Sequence, residues 1–128
     1  MAIVKLEDLN VWQEARELRK LVYQKTKTFP KEEKFILCKH MNECSRNVPG
    51  NIAEGFGRYH FQESIQFYRI ARGSLTELKS DTYCAFDENY LTEVDFDDLV
   101  ARIEKITKML NSLISSTQNL KGFTSNSK

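Results

Sequence analysis

The chain has 128 residues, of which 41% are hydrophobic, and 19 Lys and Arg against 18 Asp and Glu give a formal net charge of +1. This composition is typical of one globular domain that buries its core without disulfides or a metal, and it excludes a largely disordered chain. The small net charge excludes binding to nucleic acid or to an anionic membrane by overall charge alone, so any basic site must be local.

The cysteines and the first residues bear on the cellular setting. Cys38, Cys44 and Cys84 are an odd number without a Cys-x-x-Cys pair, which indicates reduced thiols rather than a disulfide framework. Residues 1–9 carry charges instead of the apolar run of a signal peptide, and no stretch is apolar over the roughly 18 residues that a membrane span needs. We therefore expect a cytoplasmic protein without membrane contact.

The first predicted element is a helix over residues 10–29. Only two prolines and five glycines interrupt the whole chain, which favours helices over short strands. The apolar residues of this stretch recur at steps of four, three and four, the spacing of one helix face: Val11, Ala15, Leu18 and Val22. We expect Pro30 to end this helix.

The second predicted helix begins at Lys31 and ends at two glycines. Its apolar stripe comprises Leu37, Met41, Cys44, Val48 and Ile52. Pro49 lies inside that stripe and lacks an amide hydrogen, so we expect one helix with a kink near Arg46 rather than two helices. Gly55 is expected to adopt the left-handed conformation that closes the last turn, and Gly57 to let the chain reverse.

The third predicted helix begins near His60, and the fourth is capped by Asp95 or Asp97. The third stripe comprises Phe61, Ile65, Tyr68, Ala71, Leu75, Leu78, Thr82 and Ala85. A polar turn at residues 87–89 separates it from the fourth stripe, which comprises Phe96, Leu99, Ile103, Ile106, Leu110 and Leu113. The pattern then fades, so residues 121–128 are predicted to form a mobile tail.

Four helices with short links predict an all-α protein, an antiparallel up-and-down four-helix bundle, in one domain of residues 1–120. Each helix also carries large apolar side chains outside its main stripe. Either a wide core face or an interface between copies of the chain explains them, and we favour a homo-oligomer. The candidate interface residues are Trp12, Leu21, Phe67 and Ile70.

Charge is unevenly distributed along the chain. Residues 8–28 carry a net charge of +2, whereas residues 87–109 carry a net charge of −4. The helix dipole explains the acidic stretch, because acids near the N-terminal turn stabilise the fourth helix. The basic first helix is either a solvated face or a phosphate-binding surface.

The sequence offers little that supports an enzyme. His40 and Cys44 share a helix face at a spacing of four, but no second ligand pair accompanies them, so we predict no metal. The stretch from Gly55 to Arg58 lacks the further residues of a phosphate loop, and no strand is predicted before it. Because no nucleophile and base are visibly paired, we also predict no catalysis, no cofactor and no small-molecule substrate.

Several motifs form an ordered set along the chain. They are Leu9-x-Val11-Trp12-x-x-Ala15, Phe29-Pro30-x-Glu32-Glu33, Val48-Pro49-x-Asn51-Ile52-Ala53-Glu54-Gly55-Phe56-Gly57-Arg58 and Ala71-Arg72-Gly73-Ser74-Leu75-x-Glu77-Leu78. Over residues 5–118 the chain resembles the bacterial four-helix-bundle family of ribosomal-RNA intervening-sequence proteins. That family is similar to the accessory protein of diversity-generating retroelements, a homopentameric barrel to which binding of nucleic acid and of a reverse transcriptase is attributed. The resemblance implies a ring-like assembly of five bundles.

The chain departs from that family in the second helix. Relatives commonly carry a basic pair there, ahead of the proline, whereas residues 40–47 contain one arginine, Arg46, and one acid. This departure favours a different partner or a less electrostatic binding mode.

The polar motif residues also have a structural interpretation. Asn51 and Glu54 follow Pro49, which frees a backbone carbonyl that an amide side chain can satisfy. We predict a structural role for Pro49, Asn51, Glu54, Gly55, Gly57, Gly73 and Glu77.

Two of these residues lie on the third helix. Glu77 is a candidate partner for Arg58 or Arg72. Gly73 lies in mid-helix, where glycine costs about 1 kcal/mol relative to alanine, and close approach of another helix would explain it.

The leading hypothesis is a non-enzymatic oligomer that binds RNA, DNA or a nucleic-acid enzyme, with avidity from repeated weak patches. Its candidate contacts are Arg16, Arg19, Lys20, Arg46, Arg58, Arg69 and Arg72. The alternative is a structural or protein-interaction module with no direct binding of nucleic acid. A steep fall of RNA affinity with salt would distinguish the two.

Overall fold

A computed structural model describes residues 5–126, with side chains described for residues 5–120, and over that range it is helical without strands. The four long helices are α1 (Asn10–Thr26), α2 (Leu37–Phe56), α3 (Phe61–Asp87) and α4 (Glu93–Asn126). Short 3-10 helices, Leu6–Asp8 and Lys31–Glu33, precede α1 and α2. The predicted all-α architecture of four helices is confirmed.

Each helix packs beside its neighbours in sequence, and α1 also packs on α4, which closes the bundle. Two ion pairs show that α1 and α4 run in opposite directions. Lys25, late in α1, lies 3.0 Å from the carboxylate of Asp95 at the start of α4. Glu14, early in α1, lies 3.1 Å from the ammonium of Lys105, further along α4. The bundle is therefore antiparallel, as predicted.

The core consists of the predicted apolar stripes. Its largest buried residues come from all four helices: Leu18, Met41, Ile52, Leu75, Leu78, Leu99, Ile103, Ile106 and Leu110. Three predicted stripe residues, Phe61, Phe96 and Leu113, are only half-buried. Over residues 5–120, no buried side-chain nitrogen or oxygen lacks a hydrogen-bond partner, so unpaired polar groups do not offset the apolar burial.

The link between α1 and α2 is longer than predicted. α1 ends at Thr26, three residues before the predicted end, and α2 begins at Leu37 rather than at Lys31. The hydroxyl of Thr26 donates to Asn42 Oδ1 at 2.9 Å, which ties the end of α1 to α2. Phe29 is buried in the link and packs 5.3 Å from the Tyr90 ring. The loop thus contributes to the core.

The cap of α4 also differs from the prediction. The Asp95 amide donates to the Thr92 hydroxyl at 3.1 Å, so Thr92 rather than Asp95 or Asp97 caps the helix. α3 ends where Asn89 adopts a positive φ of 64°, and the Tyr90 amide donates to the Ala85 carbonyl at 2.9 Å. These bonds satisfy carbonyls that the end of a helix leaves without a partner.

The predicted roles of Gly55 and Gly73 are wrong. In the described residues no glycine has a positive φ, so Gly55 does not close α2 in the left-handed conformation. Gly55 lies inside α2, where a Cβ would lie 2.5 Å from Tyr68 Cε1 and 2.9 Å from the Ser64 carbonyl oxygen. A Cβ on Gly73 would meet nothing within 4 Å. Close helix approach therefore explains Gly55 and not Gly73, and Gly57 takes an ordinary right-handed φ of −82°.

Pro49 is buried within a single α2, as the prediction of one helix requires.

The backbone of α4 continues to Asn126, through most of the segment predicted as a tail, and residues 127 and 128 lie outside the described residues. The mobility of residues 121–128 stays a prediction. Among the described helices, none combines the length and apolarity that crossing a bilayer requires.

Candidate nucleic-acid interface

A basic groove lies between the first half of α1 and the second half of α2. Antiparallel packing places the start of α1 beside the end of α2, so arginines from both helices meet. The cavity has a volume of about 360 Å³. It is lined by Leu6, Trp12, Arg16, Arg19, Arg46, Pro49, Gly50 and Ala53. We call these eight residues the α1–α2 groove.

Small residues leave the groove open. Gly50 and Ala53 lie one turn apart on α2 and project little into it. A Cβ on Gly50 would have nothing within 4 Å. Trp12 is half-buried and packs against the core, so the groove also presents part of an aromatic ring. The groove therefore combines an apolar floor with a basic rim.

The three groove arginines differ from the other basic candidates in their contacts. Within residues 5–120, no carboxylate pairs with Arg16, Arg19 or Arg46. Arg16 lies over the ring of Trp12, with its Cζ 5.8 Å from the centroid, and Arg19 lies 5.0 Å from the ring centroid of Tyr23. Aromatic contact positions a guanidinium without neutralising it, so the donors stay free for an anion.

The remaining basic candidates lie elsewhere or have partners. Lys20 lies 3.5 Å from Glu17, and Arg58 lies 2.8 Å from Glu54 and 3.8 Å from Glu63. Lys20 and Arg58 therefore each have a carboxylate within 4 Å, unlike the groove arginines.

On the opposite side of the bundle, the α3 arginines face α4. Arg72 donates to Asn111 Oδ1 at 2.8 Å, and Arg69 lines a polar pocket with Gln62, Gln66 and Gln118. The structure thus brings together three of the seven predicted contacts.

The structure gives the motif residues partners other than those predicted. The side-chain amide of Asn51 donates to the Asn47 carbonyl at 2.7 Å, whereas the carbonyl that faces Pro49 belongs to Ser45, four residues before it. Glu54 pairs with Arg58. The prediction that Glu77 pairs with Arg58 or Arg72 is wrong, because Glu77 faces α2.

Glu77 belongs to a cluster on the α2–α3 seam that sequence reasoning only half identified. His40 Nδ1 donates to an oxygen of Asp81, and His40 Nε2 lies 3.3 Å from Glu77 Oε2. The Cys44 thiol donates to the same Glu77 oxygen at 3.8 Å. We call His40, Cys44, Glu77 and Asp81 the seam cluster. Its four members form two pairs at a spacing of four, which are brought together by a helix register that the sequence does not reveal.

The seam cluster does not form a nucleophile and base. Cys44 Sγ lies 3.7 Å from Nε2 and 3.8 Å from Nδ1 of His40, so the thiol does not lie on the axis of either nitrogen. Burial, followed by the charges of Glu77 and Asp81, raises the pKa of Cys44 to about 12. Such a thiol is not an activated nucleophile. The hydrogen bond to Asp81 raises the pKa of His40, and burial raises that of Asp81.

The predicted interface residues differ in exposure. Trp12 and Leu21 are half-buried and pack against the core of their own chain. Phe67 is half-buried, with Arg58 Cζ 4.7 Å from its ring centroid. Ile70 is 44% exposed. Of the four predicted interface residues, Ile70 is therefore the exposed one, and the oligomer stays a prediction.

Comparison with known proteins supports the fold and the family. A search of curated proteins found no match. A solved structure from Bacteroides thetaiotaomicron VPI-5482, described as a protein with unknown function from the S23 ribosomal protein family, superposes with a TM-score of 0.76 at 20% identity and covers 81% of this chain and 97% of its own. The model of the 23S rRNA-intervening sequence protein family matches residues 7–112. Since that match spans most of the bundle, the chain belongs to the 23S rRNA-intervening sequence protein family.

Proposed function

We propose that this protein binds single-stranded RNA through the α1–α2 groove and that it acts by binding rather than by catalysis. The observation that carries the proposal is the convergence of Arg16, Arg19 and Arg46, without acidic partners, around Trp12. Guanidinium groups recognise phosphate oxygens with paired donors, and their planes also stack on unpaired bases, here with the Arg16 guanidinium lying over the Trp12 ring. The groove offers both within one cavity.

The composition of the groove supports a single strand. Single-stranded segments are the usual targets of proteins that combine basic grooves with aromatic rings, and the α1–α2 groove contains three arginines and Trp12. Affinity from three phosphate contacts is modest and depends on salt. An oligomer that repeats the groove would bind RNA with higher affinity.

We propose further that copies assemble as a homo-oligomer, with the ring of five that the resemblance implies. Ile70, exposed on the outer face of α3, supports an interface on the side of the bundle away from the groove. Five linked grooves would bind one strand with an avidity that a single groove lacks. Light scattering of the full chain measures the mass, and Ile70→Glu should reduce it to that of a smaller species. An unaltered monomer in dilute solution would contradict the ring.

The experiment that tests RNA binding is fluorescence anisotropy of a labelled single-stranded RNA of mixed sequence, titrated at several salt concentrations. Replacing Arg16, Arg19 and Arg46 with alanine should abolish most of the affinity. If each arginine contacts one phosphate, the slope of log K against log salt should shrink by about 2, because single strands contribute about 0.7 per contact.

A matched control removes three arginines from other parts of the surface, Arg58, Arg69 and Arg72. This variant has the same net charge as the groove variant, so overall charge predicts equal losses whereas the groove predicts a much smaller loss in the control. Equal losses, or no binding by the unaltered protein at low salt, would refute the proposal. A single-stranded DNA of the same sequence shows whether the 2′-hydroxyl contributes.

A further inference from the structure

The seam cluster joins two helices through side chains that also serve as metal ligands. His40 and Cys44 lie one turn apart on α2, and Glu77 and Asp81 lie one turn apart on α3. Residues four apart share a helix face, and the antiparallel register of α2 and α3 sets the two pairs opposite each other. The cluster lies on a different side of α2 from the α1–α2 groove.

We propose that the seam cluster is a Zn²⁺ site in which His40, Cys44 and Asp81 bind the ion and Glu77 completes the fourth position. Ligand atoms of His40, Cys44 and Asp81 all lie within 4.8 Å of one another. Glu77 Oε2 lies 3.3 Å from His40 Nε2 and 3.8 Å from Cys44 Sγ. Imidazole, thiolate and carboxylate groups together are typical of zinc.

The distances are close to those of a metal site. Zinc bonds of about 2.0–2.3 Å in a tetrahedron place the donor atoms about 3.3–3.7 Å apart. The donors of His40, Cys44 and Asp81, which lie within 4.8 Å of one another, need to move by up to about 1.5 Å to meet one ion, and Glu77 has to turn toward it. His40 and Glu77 are half-exposed or more, at 48% and 61% of their side-chain surface, so both can turn toward it. Asp81 and the buried Cys44 hold the inner side in place.

The local charge also favours a dication. Within residues 5–120, neither Glu77 nor Asp81 pairs with a lysine or arginine; Asp81 faces His40, and Glu77 faces His40 and the Cys44 thiol. The nearby Lys39 lies 3.9 Å from Glu43 instead. Two carboxylates beside a thiol, with one imidazole between them, leave negative charge that an ion of charge +2 compensates. Binding would release the thiol proton, and the proton by which His40 Nδ1 bonds to Asp81 would move to Nε2 or be released as the ion replaces that hydrogen bond.

The test is isothermal titration calorimetry of the reduced full chain with Zn²⁺, repeated in buffers of different ionisation enthalpy. We expect one ion per chain with release of a proton. Co²⁺ should give a thiolate charge-transfer band, which identifies the sulfur ligand. His40→Gln changes an exposed residue and should weaken zinc binding by about 100-fold or more, a loss at least as large as removal of a supporting residue causes. Cys44→Ser should abolish the cobalt band.

The chain provides matched controls. Cys84 is an exposed cysteine and His60 the second histidine, and both lie outside the cluster. Cys84→Ser and His60→Gln should leave zinc affinity unchanged within about twofold. Circular dichroism shows whether Cys44→Ser, at a buried position, remains folded. No binding by the unaltered chain, or an affinity that His40→Gln leaves unchanged, would overturn the proposal.

Discussion

The two sides of α2 differ in spacing and in charge. Toward α3 the helices are so close that a Cβ on Gly55 would overlap the ring of Tyr68, and the polar groups are acids with one imidazole. Toward the first half of α1 the surface is open at Gly50, and the polar groups are arginines without acids. One helix therefore holds a tight acidic seam on one side and an open basic groove on the other. A count of charges along the sequence does not reveal these two sides, because the acids of the seam lie on α3 and two of the groove arginines lie on α1.

The largest expected effect on the free energy of unfolding is at the contact between α2 and α3. Gly55→Ala places a methyl group 2.5 Å from Tyr68 Cε1 and 2.9 Å from a backbone carbonyl. The ring can move, but the backbone of α3 can yield only by separating the helices. We expect a loss of about 1–3 kcal/mol in the free energy of unfolding, the usual range for overpacking. Urea denaturation measures it. An unchanged stability would mean that α2 and α3 leave room for a methyl group at position 55.

The same exchange of glycine for alanine on the groove side of α2 should stabilise the fold instead of destabilising it. Gly50→Ala adds a methyl group that meets nothing within 4 Å, in the interior of the same helix. We expect a gain of up to about 1 kcal/mol, because alanine has the higher helix propensity. The two variants control for each other, since both exchange glycine for alanine in α2. A loss of stability at position 50 would show that the groove is closed.

The apolar periodicity predicted the fold well, because one buried face per helix is a local property of the sequence. Leu18, Met41 and Leu110 are buried where the stripes placed them. The glycines were misassigned because a close approach depends on the facing residue. Tyr68 stands opposite Gly55, and nothing stands opposite Gly73.

The candidate sites were only partly predictable for the same reason. His40 and Cys44 were recognised as a pair on one helix, but the register that brings Asp81 and Glu77 to them arises from packing. The sequence also proposed basic residues without showing which have acidic partners. Among the side chains of residues 5–120, no acid pairs with Arg46, whereas Arg58 is paired with Glu54.

A third prediction separates the two acids of the seam in metal-free protein. Asp81 accepts a hydrogen bond from His40 and is only 16% exposed, whereas Glu77 is 61% exposed. Asp81→Asn should therefore lower the free energy of unfolding by about 1 kcal/mol, and Glu77→Gln by less than about 0.5 kcal/mol. Chemical denaturation in the presence of a chelator measures both. If Glu77→Gln has the larger effect, Glu77 supports the fold and is not held available for an ion.

The smallest expected effect concerns the edge of the groove. Lys20 lies one turn from Arg16 but is paired with Glu17, and both members of the pair are about half-exposed. Glu17→Gln releases the ammonium and should change the stability by less than about 0.5 kcal/mol, since exposed ion pairs contribute little. RNA affinity should rise by no more than about threefold, because one more cation joins the basic rim. Lys79 and Glu104, paired at 3.4 Å on the α3–α4 side, provide the matched control. If Glu104→Gln raises the affinity as much, RNA responds to net charge and not to the groove.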